Sequence, residues 1–216
     1  MPDDEPSAIV RRRRAVVVVV LVVGAVLLGC SLNRQPGDAT FYWLTLALAA
    51  VWALGAWVSG PLHLGSIRFR AHARRPVLIG TAVGLLVGAV FIVGALVARR
   101  IPPVRDYVAQ VLEYAHHGPL VLIVFITVVN GVAEELFFRG ALYSALGRFR
   151  PVLVSTLVYV VAVSATGNPM LALAGLVLGY VCAFERRMTG GVLAPMLTHL
   201  FWGLVMVLAL PPIFGV

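Results

Sequence analysis

Residues 77–98 read VLIGTAVGLLVGAVFIVGALVA, from Val77 to Ala98 without one ionisable side chain. A bilayer core about 30 Å thick asks a helix for roughly 20 predominantly apolar residues, and this run supplies them. Working outward, similar runs occupy 15–32 and 41–59 before it and 119–134, 151–166, 170–184 and 191–211 after it. The 151–166 run is shorter and more polar than the others. The stretch 105–117 (RDYVAQVLEYAHH) is too polar to cross and is expected along the interface or as an extra half-helix. The reading is all-α: a polytopic transmembrane helical bundle of about seven spans, six to eight, with short loops and no room for a soluble module. Residues 1–216 form a single integral membrane domain.

Composition agrees. The chain has 216 residues, 61% apolar and 12% charged, against about 45–50% and about 25% in soluble domains. Too few charges remain to cover a water-facing surface, which excludes a soluble enzyme, a disordered chain and a nucleic-acid-binding module. All 17 basic residues are arginines, against nine acidic ones. They stand between the apolar runs, where they act as topology signals. With the N-terminus inside, 13 of the 17 face the cytoplasm: Arg11 to Arg14, Arg68, Arg70, Arg74, Arg75, Arg139, Arg148, Arg150, Arg186 and Arg187. Arg34, Arg99, Arg100 and Arg105 fall outside. The expectation is an integral protein of a bacterial cytoplasmic membrane with a cytoplasmic N-terminus and membrane lipids as its surroundings.

Arg11 to Arg14, the apolar run and Leu27-Leu28-Gly29-Cys30 also have the layout of a secretory or lipoprotein signal. The run is long enough to span and Leu28 fits a lipidation site poorly, so an uncleaved first helix is the preferred reading and a lipid-modified Cys30 the alternative. Cys30 and Cys182 form no paired framework and read as thiols packed in the membrane.

Charged side chains inside a span cost at least about 2.5–3.5 kcal/mol at the helix centre, which makes each a functional-site candidate. They concentrate in one place, Asn130-Gly131-Val132-Ala133-Glu134-Glu135-Leu136-Phe137-Phe138-Arg139, at the close of the fourth span. Glu135 and Arg139 are four residues apart and can pair along a helix. Glu134 points about 100° away from Glu135 and has no local counter-charge. An unpaired carboxylate in a low-dielectric site suits general acid or base work. The plainer alternative is a carboxylate pair at headgroup level, with Arg139 fixing helix depth.

His199 is the other ionisable group well inside a span. A lone histidine in an apolar helix is most often a packing residue, but where it meets the glutamates it can donate to a developing oxyanion. Ser155, Tyr159 and Thr166 form a weak polar stripe that reads as cavity lining or as helix packing. His63, His72, His116 and His117 read as surface. Asp3, Asp4, Glu5, Asp38, Asp106 and Glu113 fall in the tail or in loops and interfacial segments, and Glu185 stands beside Arg186 at a helix end. No HExxH string is present, and two glutamates with one distant histidine make a poor zinc site. No cofactor is expected, and a metal is not favoured.

Glu134-Glu135-Leu136-Phe137-Phe138-Arg139-Gly140 resembles the EExxxR signature of the CPBP (CAAX protease and bacteriocin-processing, or Abi) family. These are intramembrane glutamic-type endopeptidases, long taken for metalloproteases. The likeness covers residues 119–207, the family-like catalytic core. It continues through Asn168-Pro169 and through Gly190-Gly191-Val192-Leu193-Ala194-Pro195, just before His199. The resemblance implies that Glu134 activates water, that Glu135 supports it with Arg139 holding that carboxylate, and that His199 helps form the oxyanion site. The substrate it implies is a lipidated or membrane-bound protein or peptide.

Two positions depart from the family pattern. The aromatic Tyr159 is followed four residues later by Val163 where the family has His, and His199 by Gly203 where it has Asn. The alternative function is therefore a catalytically weakened member that binds or scaffolds membrane partners. A small transporter using the glutamates as an ion relay would call for repeated halves with broken helices, and the sequence has no internal repeat.

Overall fold

The fold, a computed structural model, describes residues 7–69 and 72–215. Asp3, Asp4, Glu5 and Arg70 lie outside the described residues. The described chain runs α1 (Ser7–Leu32), α2 (Ala39–Ser59), a hairpin of β1 (Ile67–Phe69) and β2 (His72–Arg74), α3 (Val77–Ala98), α4 (Pro102–His116) and α5 (Leu120–Glu135). A π-helical segment (Leu136–Leu142) joins α5 to α6 (Tyr143–Leu146), followed by α7 (Pro151–Ser164), α8 (Pro169–Thr189) and α9 (Leu193–Phe214).

The all-α bundle holds, with refinements. Six helical stretches among the described residues are long and apolar enough to cross a membrane: α1, α2, α3, the continuous Leu120–Leu146, α8 and α9. The remaining expected span, α7, has only 14 residues, short of the roughly 20 that a full crossing takes. The fourth span does not close at Glu134. Helical winding runs unbroken over the 27 residues from Leu120 to Leu146, so Glu134 and Glu135 sit mid-helix and Arg139 lies inside the bundle. The hairpin is a small departure from all-α, pairing Ile67 with Arg74 and Arg68 with Ala73.

Local chemistry sets the helix starts. Asp38 caps α2 by accepting from the Thr40 amide at 2.8 Å, and the carboxylate's pKa is lowered by that bond. Asn168 caps α8 through Met170 N at 2.9 Å, with Pro169 in the first helical position. α3 and α9 pack along Gly80, Gly84 and Gly88, the small-residue spacing that lets membrane helices approach closely. A Cβ at Gly84 would stand 2.7 Å from the Thr198 carbonyl oxygen. The close approach also lets Thr198 Oγ1 donate to Gly80 O at 3.0 Å.

The arginine run does not precede α1 as a flank; it lies within the helix. Arg13 is buried, its Nη2 3.4 Å from Pro61 O, and Arg14 Nε donates to Ala145 O at 3.3 Å. Carbonyls freed at the ends of neighbouring elements are natural partners for these guanidinium groups.

α4 lies across the end of the bundle and is tied at both ends. Tyr114 Oη donates to Leu32 O at 2.8 Å and also to Arg34 O. Asn168 Nδ2 donates to Tyr107 O at 2.8 Å. Burial, then the charge of Glu113, pushes the Tyr114 phenol above its ordinary pKa, which preserves it as a donor. Beneath α4 lies a cavity of about 550 Å³ whose lining includes Phe91, Leu112, Ile126, Ala174, Trp202 and Met206.

Candidate active site

The site begins with a helical register. Glu135 and Arg139 are separated by one turn, and Arg139 Nη1 donates to Glu135 Oε1 at 2.9 Å with both side chains fully buried. The second arm of the guanidinium, Nη2, donates to Gly179 O on α8 at 2.9 Å, and Arg139 Cζ lies 4.7 Å from the Tyr159 ring centroid. Arg186 Nε in turn donates to Arg139 O at 2.8 Å. This carbonyl belongs to the π-helical segment, where winding is altered; such segments recur at functional sites.

α9 brings in the third group. His199 Nδ1 lies 2.8 Å from the same Glu135 Oε1. An ionised carboxylate only accepts, so Nδ1 is the donor and the tautomer is set by that partner. The ring packs over Gly131, where a Cβ would stand 3.2 Å from His199 Cδ2, and meets Trp202 edge-on at 5.7 Å between centroids. Gly131 thus makes room for a histidine that comes from a helix distant in sequence.

Glu134 faces the other way, as the 100° rotation per residue requires. Its counter-group comes from α7: Tyr159 Oη donates to Glu134 Oε2 at 2.6 Å. Glu134 lies within electrostatic reach of His199, so the two committed faces meet. Asn130, one turn earlier, donates Nδ2 to Ile126 O at 3.0 Å and leaves Oδ1 buried without a partner among the described residues.

Glu134, Glu135, Arg139 and His199 converge. Of the polar stripe only Tyr159 joins them. Ser155 Oγ turns to its own helix at Val152 O, 3.4 Å away, and Thr166 Oγ1 accepts from Asn168 N at 3.2 Å in the following loop. His63, His72, His116 and His117 are exposed. Glu185 departs from its expected place: it is 6% exposed, and Arg186 reaches Arg139 O and the Tyr143 ring at 5.1 Å. The sequence held no signal for this, because neighbours at a helix end diverge by 100° and only the packing of α9 decides which one is buried.

The departures at 163 and 203 are filled by apolar matter. Val163 is buried beside Gly175, and a Cβ at Gly203 would stand 3.1 Å from Thr127 Cγ2. A longer polar side chain at 203 would need Thr127 to move.

Two carboxylates on one membrane helix, one gripped by an arginine and a histidine and the other by a tyrosine, give this polytopic helical bundle a buried ionic centre. Residues 116–205 match the family described as Rce1-like, type II CAAX prenyl endopeptidase Rce1-like. The match covers less than half of the chain but takes in every residue of the centre. It bears out the EExxxR resemblance and supports a CAAX-type intramembrane protease kind. No curated protein and no solved structure matches the chain.

Proposed function

We propose that the protein is an intramembrane endopeptidase that hydrolyses a peptide bond of a lipidated, membrane-associated substrate with water activated by Glu134. The observation that carries this reading is the division of labour between adjacent carboxylates. Glu135 is committed to Arg139 and His199, while Glu134 has one short hydrogen bond, from Tyr159, and remains partly exposed.

In this mechanism Glu134 takes a proton from water as the oxygen attacks the scissile carbonyl, and returns it to the leaving amine as the bond breaks. Glu135, fixed by Arg139, holds the His199 ring through Nδ1. Nε2 then points away from that pair. It donates to the developing oxyanion when His199 is the imidazolium, and otherwise offers a lone pair to the attacking water.

The donor set does not suit a divalent cation. The Glu135 oxygen nearest His199 already accepts from a guanidinium at 2.9 Å, whose positive charge opposes a second cation. Among the described residues no group of three His, Cys, Asp or Glu side chains is arranged to hold a metal ion. No step here runs through a metal.

The cavity beneath α4 ends at Thr127 and Trp202, the neighbours of Gly203 and His199. It would take the lipid chain of the substrate while the peptide bond meets Glu134. The arginine asymmetry supports a cytoplasmic N-terminus in a bacterial cytoplasmic membrane. The test is cleavage of a lipidated peptide by the reconstituted full chain and by Glu134→Gln; equal turnover removes Glu134 from the mechanism. A second reading, a weakened relative that binds membrane partners, is favoured by Val163 and by Thr127 occupying the space beside Gly203. It predicts retained binding of the lipidated peptide with no cleavage by the parent chain.

A further inference from the structure

Glu185 is a third carboxylate of the interior, and the chemistry above gives it no part. It sits in the last turns of α8, and both of its carboxylate oxygens are buried without a hydrogen-bond partner among the described residues. Glu135 has a matching gap. Its Oε1 takes both Arg139 and His199, while its Oε2 is buried and unpartnered. The two carboxylates lie within electrostatic reach of each other and of Arg139, and the Thr198 hydroxyl faces Glu185. Cys182, one turn before Glu185 on the same helix, lies within reach of both. Thr198 immediately precedes His199, so α9 presents one residue to each carboxylate. Arg186, the nearest cation in sequence, is turned away toward Arg139 O.

An ionised carboxylate is stable in a protein interior only when paired or hydrogen-bonded. The side-chain donors beside them, the Thr198 hydroxyl and the Cys182 thiol, give their protons to Gly80 O and Pro195 O, so the three unpartnered carboxylate oxygens call for a further donor. Buried water commonly fills that role where polar groups converge.

We propose that a proton bridges Glu185 and Glu135 Oε2, carried by a trapped water or by the Glu185 carboxyl itself, and that Glu185 is thereby a positioning residue. The bridge holds Glu135 in the one orientation that lets Oε1 keep both Arg139 and His199. Glu185 touches no substrate; it acts on the reaction through the Glu135–His199 contact. The link itself stands on the burial of these oxygens and on their want of partners among the described residues, whereas its effect on rate rests on the protease reading above.

Infrared spectra of the purified full chain in H2O and D2O, with Glu185→Gln and Glu135→Gln, test the link without any need for turnover. With the proton on Glu185, a carboxylic-acid C=O band disappears in Glu185→Gln and shifts in Glu135→Gln. With a bridging water, no acid band is lost, but the Glu135 carboxylate stretch shifts in Glu185→Gln. If neither variant alters the other residue's bands, the link is wrong. On turnover, Glu185→Leu is expected to lower kcat about tenfold to a hundredfold, the scale of a misplaced catalytic group, with KM little changed and most of the loss recovered in Glu185→Gln. A folded Glu185→Leu protein with the parent kcat overturns the positioning role. If Glu134→Gln turns over like the parent, the protease reading fails, and the infrared result still decides the link.

Discussion

Trp202 stands between two regions built on opposite rules. On one side its ring meets His199 and the ionic centre; on the other it lines the apolar cavity beneath α4. The centre is defined by contacts. Arg139 alone binds Glu135 and the α8 backbone, and accepts Arg186 at its own carbonyl. The cavity is defined by what is missing: Gly94, Ala95 and Ala174 leave volume that no side chain fills. A charge in a membrane protein has to be held from several helices at once, whereas a void needs only small residues and a cover. Changes in the first region should therefore be severe and specific to one partner, and changes in the second graded and dependent on size.

The most severe expected effect is that of Glu135→Ala, which strands the buried Arg139 charge. Removing one partner of a buried pair typically destabilises by about 3–5 kcal/mol, and thermal unfolding in detergent would register it together with loss of cleavage. If the unfolding temperature stays at the parental value, the centre is less tightly built than its contacts imply. Glu134→Gln should keep the fold and lower kcat about 10²–10⁴-fold, which peptide cleavage against thermal stability would separate from the first case. In the cavity, Gly94→Phe enters open space, since a Cβ there meets nothing within 4 Å. It should reduce the preference for a lipidated over an unlipidated peptide, by about tenfold on the scale of a pocket that loses a few methylenes of room. An unchanged preference would remove the lipid chain from this cavity. Tyr159→Phe has the smallest expected effect: loss of the bond to Glu134 should cost about 1 kcal/mol, read as roughly a fivefold change in rate.

The same contrast governs what the sequence made legible. Apolar runs announce spans because hydropathy is additive along a chain, so α2, α3 and α9 fall close to where periodicity and length put them. Glu135 and Arg139 were legible as a pair because helical spacing alone brings them together. The Tyr159 bond to Glu134 and the grip of His199 on Glu135 span 25 and 64 residues; the sequence marked Tyr159 and His199 as candidates, but no spacing rule names partners so far apart. The end of the fourth span was misplaced because a buried arginine looks, in sequence, like an arginine at a membrane surface. Glu185 was missed for the converse reason, as a carboxylate beside an arginine looks paired. The cavity had no sequence signal, because a void depends on how far apart seven helices settle.

The π-helical turn at Leu136–Leu142 has a consequence for how the two ends of its long helix relate. Wider winding takes in a residue that regular α winding would not, and each residue carries about 100° of rotation. The part before it carries the glutamates that meet His199 and Tyr159; the part after it leads into the loop where Arg148 and Arg150 stand. The turn works as a vernier between two dials, letting the glutamate-bearing face and the loop end each reach their own alignment on a single continuous rod. Deleting one residue there would lock the dials together, and every side chain beyond it would arrive on the wrong side of the helix.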